Sequence, residues 1–279
     1  MKRSFAIRPY SSSQSLQGWA LIVLLMCGWM PKAQADSMPV RYVQGSFHGF
    51  LELRSEGGVV VASGDSMQYV KGDRITAETI FHFKDGSVDE ETTVYAQHRT
   101  FHLISDHHVQ KGPSFPHPMD VLIETGSGTI TVRSTDKDGK EQVKTDHMTL
   151  PADLANGLIP VVVENMGAEQ AGTTVEMVVM TPKPRVVKLV ISNIAEDNYS
   201  LVGVERKATH YQIKIELGGV VGVIAPLVGK APPDIEVWVI RGKATTFARE
   251  KGPLYAEGPI MTIQLASPVW PAAAKGDKE

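Results

Sequence analysis

Arg74-Ile75-Thr76-Ala77-Glu78-Thr79-Ile80-Phe81-His82-Phe83-Lys84-Asp85-Gly86-Ser87 is the stretch that decides the fold. Ten residues rich in β-branched and aromatic side chains run into an Asp-Gly pair, and a second such run, Glu91 to Ala96, follows. These side chains fit a pleated, half-buried surface. Asp-Gly supplies the left-handed backbone that turns one strand back onto the next, so the stretch reads as a β-hairpin.

The same pattern extends in both directions. Before the hairpin, Phe47, Gly49 and Leu51 alternate with Ser46, His48 and Phe50. After it, Arg99, Phe101 and Leu103 share one face of a strand. Met119 to Glu124 and Gly128 to Ser134 flank the turn Thr125-Gly126-Ser127, and Asp138-Gly139 leads into Glu141–Met148. Further strands are expected at 174–180, 185–194, 199–204, 209–217, 235–240, 244–247 and 259–265. One short helix is expected from Pro151-Ala152-Asp153, because Pro and Asp favour a first helical turn. Pro160 restricts Ile159 and should end or bend that helix. Short strands punctuated by turn signals define a mainly β protein, a large curved antiparallel sheet or half-barrel with one or two short helices.

The first 35 residues read as an address. Lys2, Arg3 and Arg8 precede the apolar run Trp19–Met30, and Ala33-Gln34-Ala35 presents small residues to a signal peptidase. Twelve apolar residues reach about 18 Å, short of a hydrocarbon core of ~30 Å. The expected organisation is a signal peptide over 1–35, a single β-rich domain over 36–270, and a disordered tail over 271–279. The mature chain then has no transmembrane span and is exported, to the periplasm or outside a bacterial cell.

The whole chain carries 28 Lys+Arg against 31 Asp+Glu and one cysteine, Cys27. Cleavage after Ala35 removes four basic residues and that cysteine, leaving 24 basic against 31 acidic, a formal charge of -7. A protein so charged lacks the basic face of a nucleic-acid binder. Without cysteine it has neither a disulfide nor a thiolate nucleophile.

Chemistry-bearing motifs are sparse. Five of nine histidines fall between 98 and 117. His98, His102, His107 and His108 are candidate metal ligands, with Asp106 and Asp120 nearby. On one strand His98 and His102 would lie about 13 Å apart, and His107 and His108 would face opposite sides. No G-x-S-x-G elbow and no H-E-x-x-H occurs. No cofactor is expected. The run Gly218–Lys230 is apolar and glycine-rich, and Val220, Val221, Val223, Ile224, Leu227 and Val228 are candidate lid residues over an apolar ligand.

The leader, the Phe83-Lys84-Asp85-Gly86-Ser87 hairpin, the Leu150-Pro151-Ala152-Asp153 helix start and the turn from Pro226 to Asp234 resemble uncharacterised exported bacterial proteins. Those proteins look like relatives of the lipoprotein-carrier fold, a long curved antiparallel sheet around an apolar cavity closed by short helices. The resemblance implies a non-enzymatic binding or carrier protein. It would hold a lipid or other apolar or amphipathic small molecule in the curved sheet. The alternatives are an envelope module that contacts a protein partner without a ligand cavity, and a hydrolase with an unrecognised site.

Overall fold

A computed structural model describes residues 38–135, 140–167, 169–181, 183–201, 203–216, 232–242 and 245–266. All belong to the compact unit Ala35–Glu279. Ala33, Ala35 and the rest of the expected leader, the expected turn at Asp138-Gly139, the apolar run around Val220–Val228 and the expected tail lie outside the described residues.

Among the described residues, fourteen strands form one antiparallel sheet. The first eight are β1 (Phe47–Ser55), β2 (Val60–Lys71), β3 (Arg74–Phe83), β4 (Val88–Gln97), β5 (Phe101–Lys111), β6 (Met119–Glu124), β7 (Thr129–Thr135) and β8 (Glu141–His147). Then come the helix α1 (Ile159–Asn165) and six more strands. These are β9 (Gly172–Thr181), β10 (Lys183–Leu201), β11 (Val204–Glu216), β12 (Ile235–Ile240), β13 (Thr246–Pro253) and β14 (Ile260–Leu265). Each strand pairs with its chain neighbour, and β14 returns to pair with β1. The β8-to-β9 connection, which carries α1, spans the two edges of an open, curved sheet.

The Arg74–Ser87 hairpin forms as its sequence dictates, with Gly86 in the left-handed region at φ 86°. Three local expectations are corrected. The runs at 185–194 and 199–204 are not two strands, because β10 continues through Leu201 and absorbs Ile194 as a bulge. Strand β2 has no counterpart among the expected strands, because Ser63, Gly64, Asp65 and Ser66 interrupt its apolar alternation. Helix α1 does not begin at Pro151; residues 151–158 make turns and one bridge, and Pro160 sits at the start of the helix. A proline lacks the N–H that a first turn leaves unbonded anyway, so Pro160 opens the helix instead of ending it.

Alternate residues of the strands point to an inner face. There the main core gathers Ile75, Tyr95, Phe101, Leu103, Ile123, Ile130, Leu189, Ile191, Ile213 and Val237 around Leu154, Leu158 and Val161–Val163 of the α1 segment. A second core, built from Leu51, Leu53, Ala62, Phe81, Phe83 and Phe115, lies on the middle strands β1–β3.

Candidate functional site

The α1 segment is fastened to the inner face as a plug. Ala155 N–H donates to the Glu176 carbonyl at 2.7 Å. The Asn156 amide exchanges two hydrogen bonds with the Val178 backbone. These contacts cover part of the β9 edge, which would otherwise offer unpaired groups. Arg241 donates to the Val163 and Glu164 carbonyls, so a cation meets the last turn of the helix. Asn165 accepts from the N–H groups of Arg41 and Tyr42 and thereby holds the N-terminal arm. Gly157, at φ 66°, lies so close to Thr93 and Asp106 that a Cβ there would collide with both side chains. The helix itself has no side-chain N-cap and no acidic residue in its first turn. A helix this short does not persist alone, so the sheet supplies its stability.

The second core leaves space. A cavity of about 220 Å³ is lined by Val61, Phe83, Ser114, Phe115, Leu254, Tyr255, Pro259 and Met261. Val61 is the bulged residue of β2, since Leu53 faces Ala62 while Arg54 faces Val60. One wall is the β5–β6 loop, in which Phe115 packs edge-on against Phe83 and Tyr255. That wall is anchored by Ser114, whose hydroxyl donates to Asp85 and whose N–H donates to Ser87. The opposite wall is the β13–β14 loop. Its Leu254 carbonyl accepts a 2.9 Å hydrogen bond from Gln110.

A belt of polar groups separates the two cores. Asp89, Glu91 and Thr93 of β4 face Gln110, His108 and Asp106 of β5 in register. Glu250 points inward from β13, opposite Val237. Two bulges place these groups. Ile104 is the extra residue on β5, so the inward parity passes from Phe101 and Leu103 to Asp106, His108 and Gln110. Ala248 does the same on β13, passing it from Phe247 to Glu250. His108 Nε2 donates to Asp89 at 2.7 Å, and Thr93 donates to Asp106 at 2.9 Å. Gln110 also donates to Asp89 at 3.3 Å.

Burial, with the Glu91 charge, pushes the Asp106 carboxyl up to about 8. Burial also raises Glu91, and it raises Glu250 and Glu164 to about 7. For His108 burial works downward, but the Asp89 hydrogen bond and the charges of Glu91, Asp89 and Asp106 outweigh it and hold the imidazole up at about 9. Near neutrality the cluster therefore contains a charged His108 hydrogen-bonded to Asp89, beside a protonated Asp106 and a Glu91 whose burial favours its protonated form.

The four candidate metal histidines are dispersed. His98 is exposed in the β4–β5 turn. His102 bonds Thr100 and the Ala152 carbonyl, His107 pairs with Asp120, and His108 turns inward to Asp89. Among the described residues no three His, Cys, Asp or Glu side chains are arranged to hold a metal ion. The lid residues Val220, Val221, Val223, Ile224, Leu227 and Val228 fall outside the described residues. Sequence reasoning missed Glu91, Asp89, Gln110 and Glu250. The strand parity read from Phe101 and Leu103 points His107 inward, and nothing in the sequence marks the bulge that reverses it.

No family model matches the chain, and no curated protein matches it. Among solved structures, the hypothetical lipoprotein YmcC of Escherichia coli is similar over 93% of this chain and 100% of its own, at 11% identity and a TM-score of 0.35. A likeness of that size carries no inference to this chain. Among the described residues no helix is long and apolar enough to cross a membrane.

Proposed function

We propose that this is an exported, non-enzymatic binding protein of the bacterial envelope, and that it holds the apolar part of a small amphipathic molecule. Export rests on the leader, with its positive start, apolar run and Ala33-Gln34-Ala35 site. The binding site is the cavity between the β5–β6 and β13–β14 loops. The observation that carries this reading is its lining, six apolar side chains with Tyr255 and Ser114 around about 220 Å³. Pockets for drug-sized ligands run to roughly 300–1,000 Å³, so the occupant is a short chain or one chain end rather than a whole lipid. Over the main core the inner face is covered by the protein's own α1 segment.

Native mass spectrometry of the purified mature protein, with displacement of a fluorescent fatty-acid probe, tests the proposal. The expected result is a bound amphiphile or a saturable probe site, weakened about tenfold or more when Met261→Trp fills the cavity, which is the loss of about 1.4 kcal/mol. A clean apo mass with no probe binding overturns it. That outcome turns attention to the second reading, an envelope interaction module. One observation favours that reading: the edge strand β8 is exposed over nearly all its length, where β9 has its edge partly covered.

A further inference from the structure

The cavity and the polar belt are joined by one side chain. Gln110 is 1% exposed and donates both to Leu254 O, in the cavity wall, and to Asp89, in the belt. Asp89 in turn accepts from His108. Displacement of the Asp89 carboxylate therefore moves the amide that fastens the wall.

The two cavity walls are unequally fastened. The Ser114–Phe115 wall is held by Asp85 and Ser87, in a turn where Gly112 leaves no room for a side chain above Ser87. The Leu254–Gly258 wall makes its own tight turn, with Gly258 N–H on the Tyr255 carbonyl and Glu257 at φ 63°. It meets the belt through Gln110. Besides that turn and the Tyr255–Phe115 ring contact, the Gln110 hydrogen bond is what fastens this wall, so its loss would loosen the wall.

Resting on the cavity reading, we infer that the belt is a proton-operated latch, in which Asp89, Glu91, Asp106 and His108 set, through Gln110, whether the Leu254–Gly258 wall is closed. The groups that face it are Asp89 and Glu91 from β4, Asp106 and His108 from β5, and Glu250 from β13. His107, on the outer side of β5, acts on Asp106 through charge. The plug contributes Gly157 at this point and no charge. With protons on Asp106 and Glu91, repulsion within the belt is low, the His108 and Gln110 hydrogen bonds hold Asp89 in place, and the wall is shut. Loss of protons from Asp106, Glu91 and His108 leaves three carboxylates and a neutral imidazole within two adjacent strands. Glu250 adds a fourth carboxylate from across the belt. Like charges at such separations repel strongly where water is scarce. Asp89 then moves toward solvent and Gln110 releases Leu254.

Two readouts separate this latch from the cavity proposal. The first is the dissociation rate of the fatty-acid probe, which should rise about tenfold between about pH 6 and pH 9, the factor that one pKa unit of differential interaction supplies. The second needs no ligand: hydrogen-exchange protection of the Leu254–Gly258 amides, corrected for the intrinsic rate, should fall over the same range. The double variant Glu91→Gln with Asp106→Asn, which mimics the protonated pair, should keep both values at their low-pH level. Gln110→Leu should be open at every pH. A pH-independent wall in the unmodified protein overturns the latch even if probe binds. A pH-dependent wall in a protein that binds no probe sustains the latch and overturns the cavity reading instead. Circular dichroism and thermal melting of the double variant identify a misfolded product, and in that case Glu250→Gln, on the opposite strand, serves as the replacement with the same expected direction.

Discussion

The two halves of the inner face are built from one alternating strand pattern, yet they are filled differently. Between the N-terminal arm and α1 the gap is about 20 Å³, bordered by Met38, Phe101, Val162, Asn165 and Met166. Between the β5–β6 and β13–β14 loops it is about 220 Å³. A water needs roughly 10–15 Å³ of such space, so the first gap holds about one water and the second has room for a ligand group. At one end the chain closes its sheet with a segment tied down by backbone bonds to β9 and by Arg241. At the other it closes the sheet with two loops and leaves space between them. A curved sheet therefore does not by itself define a ligand cavity, because what the connecting segments do with the concave face decides it.

The largest expected effect is at the plugged end. Gly157→Val would meet both a left-handed backbone and a collision with Thr93 and Asp106. It should cost roughly 3 kcal/mol or more of stability, read from the midpoint of urea unfolding. A loss below about 1 kcal/mol would mean that the α1 segment is not held against β4 and β5.

Next in size is a matched pair of substitutions. Val162→Phe, beside the smaller gap, should destabilise by about 1–3 kcal/mol, whereas Met261→Phe at the cavity should cost under about 1.5 kcal/mol. Equal losses in the two unfolding curves would erase the distinction between packed and open ends.

Stability should also fall as pH rises from about 5 to about 9. The carboxyls of Glu164 and Glu250, raised to about 7, and that of Asp106, raised to about 8, hold protons in the folded state that the unfolded chain has released. His108, raised to about 9, likewise keeps its proton longer when folded. The folded state binds more protons throughout this window, so raising the pH favours unfolding. Melting temperatures across the range check this, and a flat or rising profile would refute the buried, protonated belt. The smallest effect belongs to His102→Ala. His102 is exposed and touches the plug segment through the Ala152 carbonyl. Its loss should change stability by no more than about 0.5 kcal/mol in the same unfolding assay.

Legibility in the sequence followed locality. The Asp85-Gly86 hairpin, the pairing of β6 with β7 and the mainly β class were readable because side-chain period and turn chemistry act within a few residues. The β2 strand was not, because its Ser63–Ser66 segment lacks the alternation, and it is kept in register by β1 and β3. Helix α1 was placed too early because Pro151 and Pro160 carry the same local signal, and the choice between them is made by the sheet beneath. The candidate site was least legible. Its cavity is lined by Val61, Phe115 and Leu254, residues far apart in the chain. Its polar belt depends on the bulges at Ile104 and Ala248.

By itself the sequence determined the strand-rich class and carries the leader-like motif, with Cys27 inside that motif and acidic residues in excess beyond it. These depend on composition, on a period of two and on short turn motifs. Only the tertiary structure decided which residues face inward, that β14 returns to β1, and that a plug fills one end of the concave face while a cavity remains at the other. The physical reason is that a single bulged residue reverses the facing of every residue after it, and nothing local in the sequence records that reversal.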